Sequence, residues 1–250
     1  MTKLKVIYGL GYPIFLYKHS SETGYRSNKA LDRFCNNDKG QCFEMDLFLD
    51  YLRYTTKSDI LLSFEYLFLG LIDDKFFARN EVDSITIQAY HIDHLDNNLS
   101  PNPPRPTYIS EYINVIGQLF LAGYIDFGSY CDDEDRNRID YPTNLSYYKE
   151  DKYQAWIHFR DNYFYANRFN RDLDEPDTID EKGYSLILGD TSWDTPKYWS
   201  QYNIWVARTP KGTKYFNEIL APRFYNKYKD LEVEIDEKGN IIRWIGEINR

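Results

Sequence analysis

The chain has 250 residues, of which 42% are hydrophobic and 18% aromatic, with 24 Tyr, 15 Phe and 5 Trp. That composition supports a sizeable buried core and excludes a disordered chain. Its 39 acidic residues against 30 Lys and Arg leave a net charge of −9. This disfavours a general affinity for nucleic-acid backbones or anionic membranes, both of which attract cations, and suits a basic protein partner.

Residues 1–8, MTKLKVIY, lack the apolar run of a secretory signal. No stretch approaches the ~18 consecutive apolar residues of a membrane helix. Three cysteines, Cys35, Cys42 and Cys131, are too few and too unpaired for a disulfide framework. A reducing, cytoplasmic location is the expectation.

In chain order, Lys3–Tyr17 alternates loosely and reads as two short strands around a turn. Its GLGYP run lacks the Lys-Ser/Thr ending of a phosphate loop. A helix is predicted over Phe43–Tyr54 and a second over 57–69. In the second, Ile60, Phe64, Leu67, Phe68 and Leu71 share one face, and Thr56 with Asp59 matches a capping box. Val82–Tyr90 alternates like a half-buried strand. Residues 91–106 are rich in Asn and Pro and read as a loop. The chain is therefore one globular domain of 1–250, or two subdomains, 1–100 and 107–250, joined by 91–106.

The most informative stretch is Thr107–Phe127. Ile109, Tyr112, Ile113, Ile116, Leu119 and Phe120 fall on one helical face, with Thr107 or Ser110 available as a cap. Gly123 is placed to end the helix in the left-handed conformation, and Tyr124, Ile125 and Phe127 favour a strand. Residues 66–73, YLFLGLID, echo 118–126, QLFLAGYID. Either a buried helix meeting a strand occurs twice or the two are related units.

Residues 141–170 are densely aromatic and fit two strands, or a short helix and a strand. Tyr184–Leu188 reads as a buried strand, and 189–201 as a loop with Trp and Pro. Tyr202–Ala207 is a strand candidate. Thr209 caps a following helix with Pro210 at its first position. Tyr215, Phe216, Ile219 and Leu220 make its apolar face, and Pro222 ends or kinks it. Leu231–Ile235 and Ile241–Ile248 flank Asp236–Asn240 as a C-terminal β-hairpin. The expected fold class is α+β, with helices packed on mainly antiparallel sheet.

Helix, Gly-Tyr-Ile and strand, followed later by Trp205-Val206-Ala207-Arg208-Thr209-Pro210-Lys211-Gly212, resemble the winged-helix pattern. In that family a helix leads into two wing strands, and the second strand ends in a Thr-x-x-Gly helix start. The resemblance implies winged-helix-like units. The helix in the recognition position carries no Lys or Arg, so the implied use is protein binding rather than DNA reading.

Site candidates are sparse. His91 and His94 sit in the Pro-rich loop without the helical spacing of a metal pair, and read as solvated. His158, among aromatics, reads as a packing residue. The acidic runs Cys131–Asp135 and 172–181 lack the spacing of a calcium loop. No nucleophile elbow, Walker motif or dinucleotide fingerprint occurs. No catalytic residue, metal or cofactor is assigned. Residues 193–205, WDTPKYWSQYNIW, place Trp and Tyr in a polar loop, where exposed rings suit a contact surface.

The predicted partner-binding residues are Asp132, Asp133, Glu134, Asp135, Asp174, Glu175, Trp193, Tyr198 and Trp199. The leading expectation is a non-enzymatic acidic protein of the immunity-protein or phage-inhibitor type that neutralises a basic partner such as a toxin or a nucleic-acid-acting enzyme. Two others stand beside it. One is a carbohydrate-active or other enzyme with Asp/Glu acid–base chemistry and a Trp/Tyr platform. The other is a transcription or replication factor with winged-helix parts, for which Lys211, Lys214, Arg223, Lys227 and Lys229 would supply positive charge.

Overall fold

The structure is a computed structural model that describes residues 2–5, 56–72, 109–129, 139–167, 192–196, 199, 204–238 and 240–250. The expected helix Phe43–Tyr54, the strands Val82–Tyr90 and Tyr184–Leu188, the loop 91–106, the three cysteines and both acidic runs lie outside those residues. Helices and two small antiparallel sheets make the protein α+β. Among the described residues, no helix is long and apolar enough to cross a membrane. The chain divides into two compact units, which interleave in sequence: residues 216–250 join the N-terminal segments 1–70 and 94–107 in the first, and 71–93 with 108–215 make the second.

In the first unit, strand β1 (Thr2–Lys5) and helix α1 (Lys57–Leu71) come from the N-terminal half. The chain returns to this unit at Phe216–Leu220, which is π-helical.

 

In chain order the remaining elements are α2 (Ile109–Leu121), β2 (Ile125–Ser129), α3 (Leu145–Tyr148), α4 (Lys152–Phe159), β3 (Ile204–Arg208), α5 (Pro210–Tyr215), α6 (Ala221–Tyr228), β4 (Glu232–Ile235) and β5 (Ile241–Ile245).

The start of α1 follows from its capping box. The Thr56 backbone N–H donates to Asp59 Oδ2 at 2.7 Å, and the Asp59 N–H donates back to Thr56 Oγ1 at 3.3 Å. The Asp59 N–H also reaches Thr56 O at 3.0 Å, so the reciprocal pair closes the first turn. Ile60 and Phe64 of the expected stripe are buried, but so are Leu62, Tyr66 and Leu69. The helix is apolar over most of its circumference and is held from several sides. Tyr66 stacks on Phe224 of α6 with ring centroids 4.0 Å apart.

Asp59 does more than cap. It is fully buried, and it accepts from Lys227 Nζ at 2.7 Å and from Arg250 Nη2 at 3.1 Å. The Tyr228 hydroxyl lies 3.4 Å away. One carboxylate thus ties α1 to α6 and to the last residue. The same tail covers the open carbonyls at the end of α6: Asn249 donates from its backbone to Lys227 O and from its side chain to Asn226 O. In the sheet of this unit, β4 lies between β1 and β5, antiparallel to both. Glu234 and Arg243, directly opposite in register, form a cross-strand ion pair.

Pro222 neither ends the helix nor simply kinks it. Phe216–Leu220 widens into π-helix and α6 begins at once, with the proline in its first turn. Proline has no N–H and clashes with the carbonyl four residues earlier, and a widened turn accommodates both constraints. The widening also corrects the expected apolar face: Phe216 and Leu220 are buried, whereas Ile219 is 56% exposed.

In the second unit, α2 buries the expected face, with Tyr112, Ile113, Ile116, Leu119 and Phe120 all in the core. Ser110 sits inside the helix and donates to Glu111 instead of capping. Gly123 has φ +74°, and the pair Gly123 N–H to Phe120 O and Tyr124 N–H to Leu119 O closes a Schellman turn. β2 then pairs antiparallel with β3, from Ile125 opposite Arg208 to Ser129 opposite Ile204. Thr209 locks the strand end to that turn. Its hydroxyl donates to Gly123 O at 2.6 Å and accepts from the Gly212 N–H at 3.0 Å, which starts α5. A Cβ on Gly212 would stand 1.8 Å from the Tyr124 carbonyl oxygen, so only glycine allows this approach.

Two predictions follow from these contacts. Burial alone would raise the Asp59 pKa, but the bonds from Lys227 and Thr56 outweigh it and hold the carboxyl below its ordinary value of 3.8. The folded chain therefore binds fewer protons there than the unfolded chain, and this stabilisation is complete above pH 3.8 and is lost as pH falls through the folded value. Asp59→Asn should lower the urea midpoint at neutral pH, by about 3 kcal/mol in unfolding free energy, with the gap to wild type narrowing at acid pH. Gly212→Ala should cost about 2 kcal/mol or more. A thermal midpoint equal to that of wild type would contradict the close approach to Tyr124.

Candidate partner-binding surface

The second unit is built on rings. Phe159 of α4 is fully buried, with centroids of Phe127, Tyr163, Trp199, Phe164 and Trp193 at 4.7, 5.0, 5.5, 5.7 and 5.9 Å. The stretch 152–167 is helical throughout, α4 running into π-helix at Arg160–Asn167. Of the two expected alternatives for Trp156–Phe159, strand or short helix, the helix is found, and the strand that both placed from Tyr163 is replaced by π-helix as far as Asn167. Ring density alone does not separate the two periods, whereas Asp151 caps the start of α4 by accepting from the Tyr153 N–H.

Trp193 and Trp199 are 6% and 1% exposed, which corrects the expectation that they stand open in a polar loop. Their rings pack on each other and on Phe159, and their polar edges are satisfied inside. Trp193 Nε1 donates to Thr143 O at 2.7 Å, and Trp199 Nε1 to Ser192 O at 3.0 Å. Neither ring offers a platform to a sugar or a partner. Tyr198, Asp132, Asp133, Glu134, Asp135, Asp174 and Glu175 lie outside the described residues, as do His91 and His94.

His158 packs edge-on against Trp199, and its Nε2 lies 2.9 Å from Trp193 O. Hydrogen bonding to that carbonyl requires the proton on Nε2, leaving Nδ1 to face the Asn162 amide at 3.5 Å. Both ring nitrogens are engaged by the protein, as suits a packing residue.

Sequence reasoning missed Asp126. It is a lone carboxylate in the apolar run of β2, and that isolation was the available signal. It is buried, accepts from the Phe127 N–H at 2.8 Å and the Ser146 N–H at 3.2 Å, and also takes the Ser146 hydroxyl. It therefore holds the first turn of α3 against β2, a task that Asn144 at the cap position does not perform. Burial pushes its pKa up, with Ser146 and the backbone donors opposing.

Tyrosines and carboxylates are prominent among the described residues that face solvent here, beside Lys149, Lys211 and Lys214. Tyr147, Tyr153 and Tyr165 are exposed, as are Asp140, Glu150, Asp151, Asp161 and Asp194. The Tyr147 hydroxyl donates to Asp140 and the Tyr148 hydroxyl to Asp194. Such rings present apolar area with a polar handle, and the bond to Asp140 fixes Tyr147 at low conformational cost. Of the basic residues, Lys211 donates to Ala122 O and Lys227 is paired with Asp59, so both are held by internal contacts.

The burial of the tryptophans has a direct consequence. Trp199→Ala should cost about 3–5 kcal/mol in unfolding free energy. An unchanged urea midpoint in that variant would place the ring outside the core.

No protein-family model, no curated protein and no solved structure matches this chain.

Proposed function

We propose that this chain is a non-enzymatic acidic binding protein that neutralises a basic protein partner, in the manner of an immunity protein or a phage inhibitor. The observation that carries the proposal is the net charge of −9. A field of that sign raises the encounter rate with a basic partner and repels nucleic acid that would compete for it. The acidic runs containing Asp132, Asp133, Glu134, Asp135, Asp174 and Glu175 are the steering residues in this reading, and Tyr198 is a further contact residue. The exposed Tyr147, Tyr153 and Tyr165 supply the apolar contact area that turns an encounter into a complex. In the same reading, α2–β2 with β3–α5 is a winged-helix-like unit put to protein contact, and β4–β5 is a C-terminal β-hairpin.

The test is tagged capture from the native host's lysate at low and at moderate salt, followed by kinetics on what is retained. A stoichiometric basic protein, released as salt rises, is the expected result. Asp132→Lys combined with Asp133→Lys should slow its association by about tenfold and flatten the salt dependence. An association rate that ignores both salt and these charges would count against the proposal.

A further inference from the structure

Tyr147 and Tyr148 are neighbours on α3, and each is anchored by its hydroxyl to an aspartate. At Tyr148 a cation is already seated. Lys149 Nζ stands 4.1 Å from the ring centroid, and the Tyr148 hydroxyl with the nearby Asp194 charge raises its pKa above the ordinary lysine value. A tyrosine face whose hydroxyl is bonded to an aspartate therefore takes an ammonium group in this protein. The Tyr147–Asp140 pair has the same parts and stands open. Tyr147 is 53% exposed, Asp140 is exposed, and among the described residues no cation lies over this ring or on this carboxylate.

We propose that the Tyr147–Asp140 pair is the receptor for an arginine side chain of the basic partner, its guanidinium stacked on the phenol ring with an N–H directed to Asp140. This deepens the binding reading above and rests on it. Asp140 gives one acceptor position to the Tyr147 hydroxyl and retains others, since a carboxylate offers about four lone-pair sites. The hydroxyl bond to Asp140 also raises the Tyr147 pKa, so the phenol stays protonated and the ring neutral. Asp140 is held in the left-handed region at φ 63°, a conformation that Asp and Asn tolerate better than other side chains. The Tyr147 hydroxyl bond holds the carboxylate beside the ring before any partner arrives. Arginine suits the pair better than lysine because its planar group can stack on a ring while its fork reaches an acceptor.

The probe is a hexa-arginine peptide, titrated at low salt into the full chain carrying ring-labelled tyrosine and followed by nuclear magnetic resonance. Tyr147 ring signals should move on titration. Tyr147→Ala and Asp140→Asn should each weaken the peptide by about threefold or more, while Ile242→Ala, at an exposed apolar side chain of β5, leaves affinity unchanged. Asp140→Asn keeps a residue that accepts positive φ, and the circular dichroism of each variant checks the fold. Peptide binding that neither variant weakens overturns the receptor and leaves the acidic-binder reading standing. Failure of the wild-type chain to bind the peptide at all overturns that reading, and the receptor with it.

Discussion

The second unit depends on the burial of Phe159 among other rings. Phe127 reaches it from β2, Tyr163 and Phe164 from the π-helical turn that follows, and Trp193 and Trp199 from a separate stretch of chain. Each ring pair adds about 0.5–1.5 kcal/mol beyond the area it buries. The cluster also sets backbone requirements nearby. Trp156 lies so close to α2 that a Cβ at Gly117 would stand 2.5 Å from the indole. The indole N–H groups of Trp193 and Trp199 reach carbonyls of Thr143 and Ser192, so burying them leaves no orphaned donor.

The first unit is organised differently, around a buried charge. Asp59 takes two cations and both capping donors of Thr56. A buried carboxylate is costly unless its acceptor sites are filled, and here they are filled from three places in the sequence. That makes the arrangement specific: α1, α6 and the C-terminal tail must all be in place before the charge is compensated. The aromatic stack of Tyr66 on Phe224 supplies the apolar side of the same junction.

The surface follows from the interior. Trp193, Trp199 and Trp205 go inside, and among the described residues the large rings left exposed in the second unit are tyrosines, of which Tyr147 bonds its hydroxyl to Asp140. A phenol with its hydroxyl anchored keeps a rigid face toward solvent and an acidic group beside it. Against a basic partner this combination provides contact area and charge at the same place, which fits the net charge of the whole chain.

The sequence by itself determined the elements whose signals are local. The 3.6-residue stripe of α2, the glycine that ends it, the capping box of α1 and the Thr209-Pro210 start of α5 are all written within a few residues of where they act. Only the tertiary structure decided the rest. Dense aromatics between 152 and 167 fit strand and helix alike, and packing around Phe159 selected the helix. Trp193 and Trp199 lie among polar neighbours, so composition placed them outside, yet α4 and its rings provided an interior for them. Asp126 and Asp59 owe their roles to partners that are 20 and up to 191 residues away. Pairings of that kind depend on how elements pack, and no local pattern encodes them.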